Sequence, residues 1–186
     1  MINKDEIRKV NKLKRSQMAK EEVLEKSRRA ADSFFASELY KEASQIMLYI
    51  PLGNEVDVCA VMDRALGDQK TVVVPVTDAK SGEITPCIVS KDTEFEEGAF
   101  SVLEPKVKTL ADMTKTDVVL VPGIAFDKHG GRVGFGKGCY DRLLETSDAV
   151  MVGVCFGFQI SDEIEIEETD VKMDFLISES GLLRCN

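Results

Sequence analysis

The chain has 186 residues, 44% hydrophobic and 31% charged, enough to bury one substantial core without disulfide or metal staples. Lys plus Arg total 24 against 33 Asp plus Glu, a net charge of -9 that opposes extended contact with a nucleic-acid backbone or an anionic membrane but allows a local basic pocket. The five cysteines, Cys59, Cys87, Cys139, Cys155 and Cys185, form no CxxC pair and have no His-rich neighbour, so neither a zinc site nor a disulfide framework is expected.

The first residues, MINKDEIRKVNKLKRS, hold no apolar signal-like region, and no stretch approaches the ~20 apolar residues of a membrane span. A single cytoplasmic domain over residues 1–186 is expected. Residues 3–44 are polar and helical in character. Asn3 is placed as a cap with Glu6 three positions on, and Ile7, Val10 and Leu13 follow at helical spacing. A second helix is predicted over Glu21 to Phe35. Strand-type runs then appear at Ile46 to Ile50, Thr71 to Val76, Val118 to Val121, Val150 to Cys155 and Phe175 to Ile177, the last read as the final strand.

Helices are predicted between them, at Val56 to Leu66 and at Tyr140 to Thr146. This is a βαβ series whose strands are continuously apolar, the pattern of a parallel sheet covered on both faces. Between Asp78 and Pro105 the rhythm breaks into short antiparallel pieces joined by turns. Ligands of open α/β sheets gather beyond the carboxyl ends of strands, and PLGNE after Ile50 and PGIAFD after Val121 mark two such ends.

The stretch from Val121 to Leu144, VPGIAFDKHGGRVGFGKGCYDRLL, is the densest in chemistry. Gly130, Gly131, Gly134, Gly136 and Gly138 leave backbone amides uncovered beside Arg132 and Lys137, the combination that phosphate demands. GFGKGC matches neither the P-loop nor the dinucleotide fingerprint, and alone it fits a plain turn as well as a phosphate cradle. A strand before it, a helix after it and the two cations favour the cradle.

Asp141 falls in the first turn of that helix, as an ordinary N-terminal acid or as a magnesium contact. Asp170, in EETDVKMDFLIS, is a weaker candidate of the same kind. Lys4 and Arg8 share a helix face with Lys12 and Arg15, either as solvated charge or as phosphate ligands. Glu55 reads slightly better as a cap for the following helix than as an acceptor for a heterocycle. His129, the only histidine, reads as a solvated turn residue, and Cys139 has no visible partner base.

PGIAFDKHGGRVGFGKGCYDRLL is similar to the signature PGxxFDxxGxRLGxGxGYYD, and the chain thereby resembles the 5-formyltetrahydrofolate cyclo-ligase family over nearly its whole length. Supporting pieces are the Lys4 and Arg8 pair, NEVD at Asn54 to Asp57, GAFSVLEP from Gly98 and TDVKMD from Thr169, in the same order and spacing. The resemblance implies a three-layer α/β/α sandwich with a mostly parallel central sheet and an N-terminal helical segment. It also implies ATP- and Mg²⁺-dependent closure of 5-formyltetrahydrofolate to 5,10-methenyltetrahydrofolate, with ADP and phosphate released. By the mechanism the resemblance implies, the formyl oxygen attacks the γ-phosphate, N10 then attacks the activated carbon, and phosphate leaves.

Carried over by position, Lys4, Arg8, Arg132, Gly134, Phe135, Gly136, Lys137, Gly138, Cys139 and Tyr140 correspond to ATP contacts, with Lys137 and Arg132 as the catalytic cations. Arg8, Ile50, Glu55 and the loop Phe135 to Cys139 correspond to folate contacts, and Asp141 and Asp170 to magnesium contacts. Asp170 and Glu55 thereby gain weight as ligands. Cys139 departs from the family, because it replaces the first aromatic of GYYD, whereas Val133 for Leu is a neutral apolar swap. The implied partners are small molecules, with no nucleic acid, no membrane and a monomeric chain. Two other readings compete: a non-catalytic folate- or nucleotide-binding paralogue, motivated by Cys139, and a sugar-phosphate isomerase or CoA-transferase-like enzyme on a related fold.

Overall fold

Strands that are apolar at every position are stable only where both faces are covered, and the runs between residues 45 and 178 assemble accordingly. A computed structural model of the chain describes residues 3–145, 147–167 and 169–186. Helices α1 (Lys4–Ser16), α2 (Lys20–Ala36) and α3 (Glu38–Glu42) precede β1 (Gln45–Met47), and α4 (Cys59–Gly67) leads to β2 (Thr71–Thr77) and β3 (Ile84–Val89). Then come β4 (Phe95–Glu97), β5 (Leu103–Pro105), β6 (Thr109–Leu110), β7 (Val118–Pro122), β8 (Ala125–Asp127) and β9 (Arg132–Val133). The order closes with α5 (Cys139–Leu144), β10 (Val150–Val154), β11 (Ile160–Ser161), β12 (Phe175–Ser178) and β13 (Gly181–Arg184).

The main sheet has eight strands in the order β13-β12-β10-β7-β1-β2-β3-β6. Its centre, β12 through β2, is parallel, and β13, β3 and β6 extend it antiparallel at the edges. Alternate residues divide between two cores. Ile46, Leu48, Val72, Val74, Leu120 and Val152 pack against Val23, Phe34 and Tyr40 of the N-terminal helices and Val61 of α4. Met47, Val73, Val119, Val121 and Met151 face the other way, toward Phe126 of β8 and Leu144 of α5. Each fully buried side chain of this size contributes on the order of 1.5–3 kcal/mol by leaving water. The second covering layer is lighter than the first, built from α5 and the small sheet β11-β8-β9.

Several local expectations change. Asn3 caps α1 as predicted, accepting the Asp5 amide at 2.8 Å. The buried stripe of α1, however, is Ile7 and Asn11, four residues apart, while Val10 and Leu13 are 43% and 58% exposed. Asn11 Nδ2 donates to Ile124 O at 3.1 Å, so a polar residue is buried beside Ile7 in place of the expected Val10 and Leu13. The helix predicted from Val56 begins at Cys59, whose amide donates to Asp57 Oδ1 at 2.9 Å. Helix α5 starts at Cys139 and ends at Leu144; its predicted last residue, Thr146, lies outside the described residues. Phe175–Ser178 is not the final strand, because β13 turns back on it at Gly181.

Strand β1 leads to β2 on one side of itself, whereas β7, β10 and β12 are laid down on the other. The reversal leaves a crevice beyond the carboxyl ends of β1 and β7, where ligands of such sheets bind.

Candidate active site

A cleft of about 1090 Å³ opens at that reversal. Tyr49 and Ile50 follow β1 into it, Thr77 ends β2, and Pro122 ends β7, while α1 and the segments around Gly136 and Glu167 form its sides. Every site position carried over from the family borders this one cleft: Lys4, Arg8, Ile50, Glu55, Arg132, Gly134 to Cys139, Tyr140, Asp141 and Asp170.

The glycines divide into two groups. Gly130 and Gly131 belong to a turn built on buried Asp127, whose Oδ1 accepts the Gly131 and His129 amides at 2.8 Å each and whose Oδ2 accepts the Ile164 amide at 2.8 Å. His129 is exposed there, as expected of a turn residue. Gly134, Gly136 and Gly138 line the cleft, and Gly136 sits at φ +96, open to glycine at little cost. Arg142 braces this loop by donating from Nη1 to Lys137 O at 3.0 Å and from Nη2 to Gly82 O at 3.1 Å.

The cations occupy unlike environments. Arg8 Nε donates to Gly134 O at 3.0 Å, so α1 is tied directly to the loop. Lys4 Nζ reaches Asp170 Oδ2 at 2.6 Å and Glu167 Oε1 at 3.2 Å. Arg132, expected as a loop cation, lies on β9 and is 7% exposed, donating from Nη2 to Asp141 Oδ1 at 2.8 Å. Its Nε is buried with no partner among the described residues. Lys137 is exposed, with Nζ 3.8 Å from the centroid of the Phe100 ring.

Among the carboxylates, burial would push Asp170 up, but hydrogen bonds from Lys4 and the Glu167 amide hold it below its ordinary value. Glu55 is 6% exposed; burial pushes it above the usual carboxylate value against the Leu52 amide, 2.9 Å from Oε2, and the Arg15 guanidinium, 3.6 Å from Oε1. The capping role for Glu55 is overturned, since Asp57 supplies the side-chain contact at the start of α4. Burial also raises the Tyr140 phenol well above its usual range. Cys139 is a free, partly exposed cysteine at the start of α5.

No group of three or more His, Cys, Asp or Glu able to hold a metal occurs among the described residues. Asp141 and Asp170 still present one carboxylate oxygen each, Oδ2 and Oδ1, with no hydrogen bond among the described residues. Two hard oxygen donors suit Mg²⁺, which is usually held by one or two carboxylates together with substrate phosphates.

A family model described as the 5-formyltetrahydrofolate cyclo-ligase family matches residues 1–179. The chain belongs to that family. It is 27% identical to a probable 5-formyltetrahydrofolate cyclo-ligase of Caenorhabditis elegans over 95% of this chain and 92% of that protein. A cyclo-ligase of Haemophilus influenzae is 28% identical, with coverage of 74% and 77%. The solution structure of Aquifex aeolicus 5,10-methenyltetrahydrofolate synthetase superposes with a TM-score of 0.86 at 31% identity, covering 97% of this chain and 92% of that one. As a cyclo-ligase, this chain is an ATP-dependent ligase of folate metabolism.

Sequence spacing does not single out Phe100, which lines the cleft, or Arg15, which contacts the lining residues Glu55 and Phe135. Phe100, in the turn between β4 and β5, is 42% exposed and strained at φ +58, and it stood inside the GAFSVLEP stretch already noted. Arg15 was read only as helix-face charge, because nothing in spacing along α1 points to Glu55.

Proposed function

We propose that the cleft binds ATP and 5-formyltetrahydrofolate side by side and performs the ring closure there. The observation that carries this is the convergence, in one crevice, of an exposed Lys137, a glycine loop with open amides and a buried, mostly enclosed carboxylate at Glu55. Phosphoryl transfer needs positioning and charge neutralisation more than a covalent protein catalyst. Lys4, Arg8, Arg132, Lys137 and the amides of Gly134 to Tyr140 supply both for the triphosphate.

Glu55 accepts hydrogen bonds from the pterin N–H groups, and Ile50 with the Phe135 ring covers its apolar faces. The formyl oxygen then attacks the γ-phosphorus and ADP departs with the electrons of the broken P–O bond. N10 attacks the activated carbon, and phosphate leaves with the former formyl oxygen. Asp141 and Asp170 would hold Mg²⁺, which supplies neutralisation of phosphate charge. At the folate end Glu55 is buried and Tyr140 partly buried, which limits the access of water.

The chain acts as one domain, as a monomer and in the cytosol; the continuous eight-stranded sheet supports the first. No helix among the described residues is long and apolar enough to cross a membrane.

The test is ADP release that depends on 5-formyltetrahydrofolate, together with the near-ultraviolet absorption of the methenyl product. Folded protein at high concentration giving neither would overturn the reading. Cys139, where the family carries an aromatic, favours a second reading as a non-catalytic binder, which predicts thermal stabilisation by folate and nucleotide without ADP release.

A further inference from the structure

Arg15 is attached at both ends to the turn that carries Glu55. Its carbonyl accepts from Asn54 Nδ2 at 2.9 Å, and the same amide reaches Met18 O at 3.2 Å, so the residue before Glu55 closes the end of α1. Its guanidinium lies 3.6 Å from Glu55 Oε1 and 5.8 Å from the centre of the Phe135 ring. Both members of the pair are enclosed, their side chains 12% and 7% exposed. Three elements therefore meet at one side chain: α1, the turn after β1 and the glycine loop.

The groups facing Glu55 are few. Tyr49, after β1, donates its hydroxyl to Val56 O at 2.7 Å, and Tyr140, on α5, is a partly buried phenol held neutral by a raised pKa. Arg15 is the cation within ion-pair distance among the described residues. A carboxylate enclosed this deeply tends to take up a proton, and a guanidinium beside it opposes that tendency.

We infer that Arg15 is a positioning residue for the folate half of the cleft, holding Glu55 as an oriented carboxylate and packing Phe135 against it. The inference rests on Glu55 being a folate ligand, as proposed above. It assigns Arg15 no contact with ATP and none with the reacting atoms. Loss of Arg15 should weaken folate capture while leaving the chemical step intact.

A double-mutant cycle with Arg15→Gln and Glu55→Gln reads this directly. Arg15→Gln should raise the KM for 5-formyltetrahydrofolate about tenfold, with kcat and the KM for ATP within about twofold, the pattern of lost ground-state binding. Added to Glu55→Gln, it should raise the folate KM by no more than about twofold, the part carried by the Phe135 contact. Arg15→Lys should restore part of the loss, since it keeps the charge but not the planar fork. Equal cost in both backgrounds, or a fall in kcat with KM unchanged, would overturn the role.

A second arm needs no turnover. The Glu55 side-chain carbon, followed by NMR in ¹³C-glutamate-labelled protein and assigned through Glu55→Gln, should titrate at higher pH in Arg15→Gln than in the parent. An unchanged titration in folded protein would refute the inference even if catalysis is confirmed. Absence of any folate-dependent ADP release by the parent protein would instead count against the proposed function, and the NMR arm would still decide what Arg15 does.

Discussion

Arg132 Nη2 and Asp141 Oδ1 are joined at 2.8 Å, and the same oxygen accepts the Val171 amide at 3.3 Å. Two parts of the signature nine residues apart, and the more distant segment leading to β12, are thereby joined where Arg132 and Asp141 line the cleft. The guanidinium is held at two nitrogens, Nη2 by Asp141 and Nη1 by Pro122 O at 3.3 Å, while its buried Nε has no partner among the described residues.

Arg132→Gln should lower stability by about 2 kcal/mol, less than the ~3–5 kcal/mol of a fully enclosed pair because Asp141 keeps 21% of its side-chain surface. Urea denaturation measures it. Asp141→Asn should retain the fold and raise the magnesium concentration needed for half-maximal turnover. An unchanged magnesium titration would remove Asp141 from the metal site.

Lys137→Ala should reduce kcat about 100-fold, the scale of losing one charge-stabilising donor in a transition state. Stability should fall by only ~0.5 kcal/mol, since Lys137 is exposed and loses chiefly its contact with the Phe100 ring. Parallel losses of melting temperature and turnover would contradict a direct role.

Two glycine substitutions separate scaffold from site. At Gly130, φ is +85 and an added Cβ would collide with the backbone of Met173, so Gly130→Ala should destabilise strongly and lower the yield of folded protein. At Gly136, φ is +96 but the nearest atom is Arg8 Cζ at 3.9 Å, so Gly136→Ala should cost ~1–2 kcal/mol of backbone strain and lose activity out of proportion. Melting curves beside turnover numbers distinguish the two.

The Lys4–Asp170 pair sets a pH window. Burial opposes the charged form of both groups, but their hydrogen bond, with Glu167, lowers Asp170 below 3.8 and raises Lys4 above 10.5. Stability from Asp170 is therefore present above pH 3.8 and lost as pH falls through its lowered folded value; that from Lys4 is present below pH 10.5 and lost as pH rises through its raised one. Lys4→Gln should shift the melting temperature by a constant small amount from about pH 5 to 9, within ~1 kcal/mol for a partly solvated pair, and converge with the parent below about pH 3. A shift that grows steadily across neutral pH would show that another group is responsible.

Much of the fold was legible because its signals are local. Continuous apolar runs announced covered parallel strands, and the broken rhythm after Asp78 announced the antiparallel β2–β3 pair and the β4–β5 hairpin. Where local signals misled, a tertiary partner had replaced them. Asn11 takes a buried place on α1 because Ile124 offers it a carbonyl, and Val10 turns to solvent. Phe100 was hidden because a strained turn, not a periodicity, presents its ring to Lys137.

The sequence by itself determined the family, the βαβ order and many of the residues that border the cleft, since spacing within a segment and the identity of side chains are properties of the chain alone. Tertiary structure decided what each of them does. Gly130 and Gly131 serve Asp127 while Gly134 to Gly138 line the cleft, Arg132 is enclosed while Lys137 is exposed, and Arg15 meets Glu55. These outcomes depend on which strands lie side by side and which helix crosses their ends. Burial and charge pairing between residues 40 and 166 positions apart arise only when that order is formed.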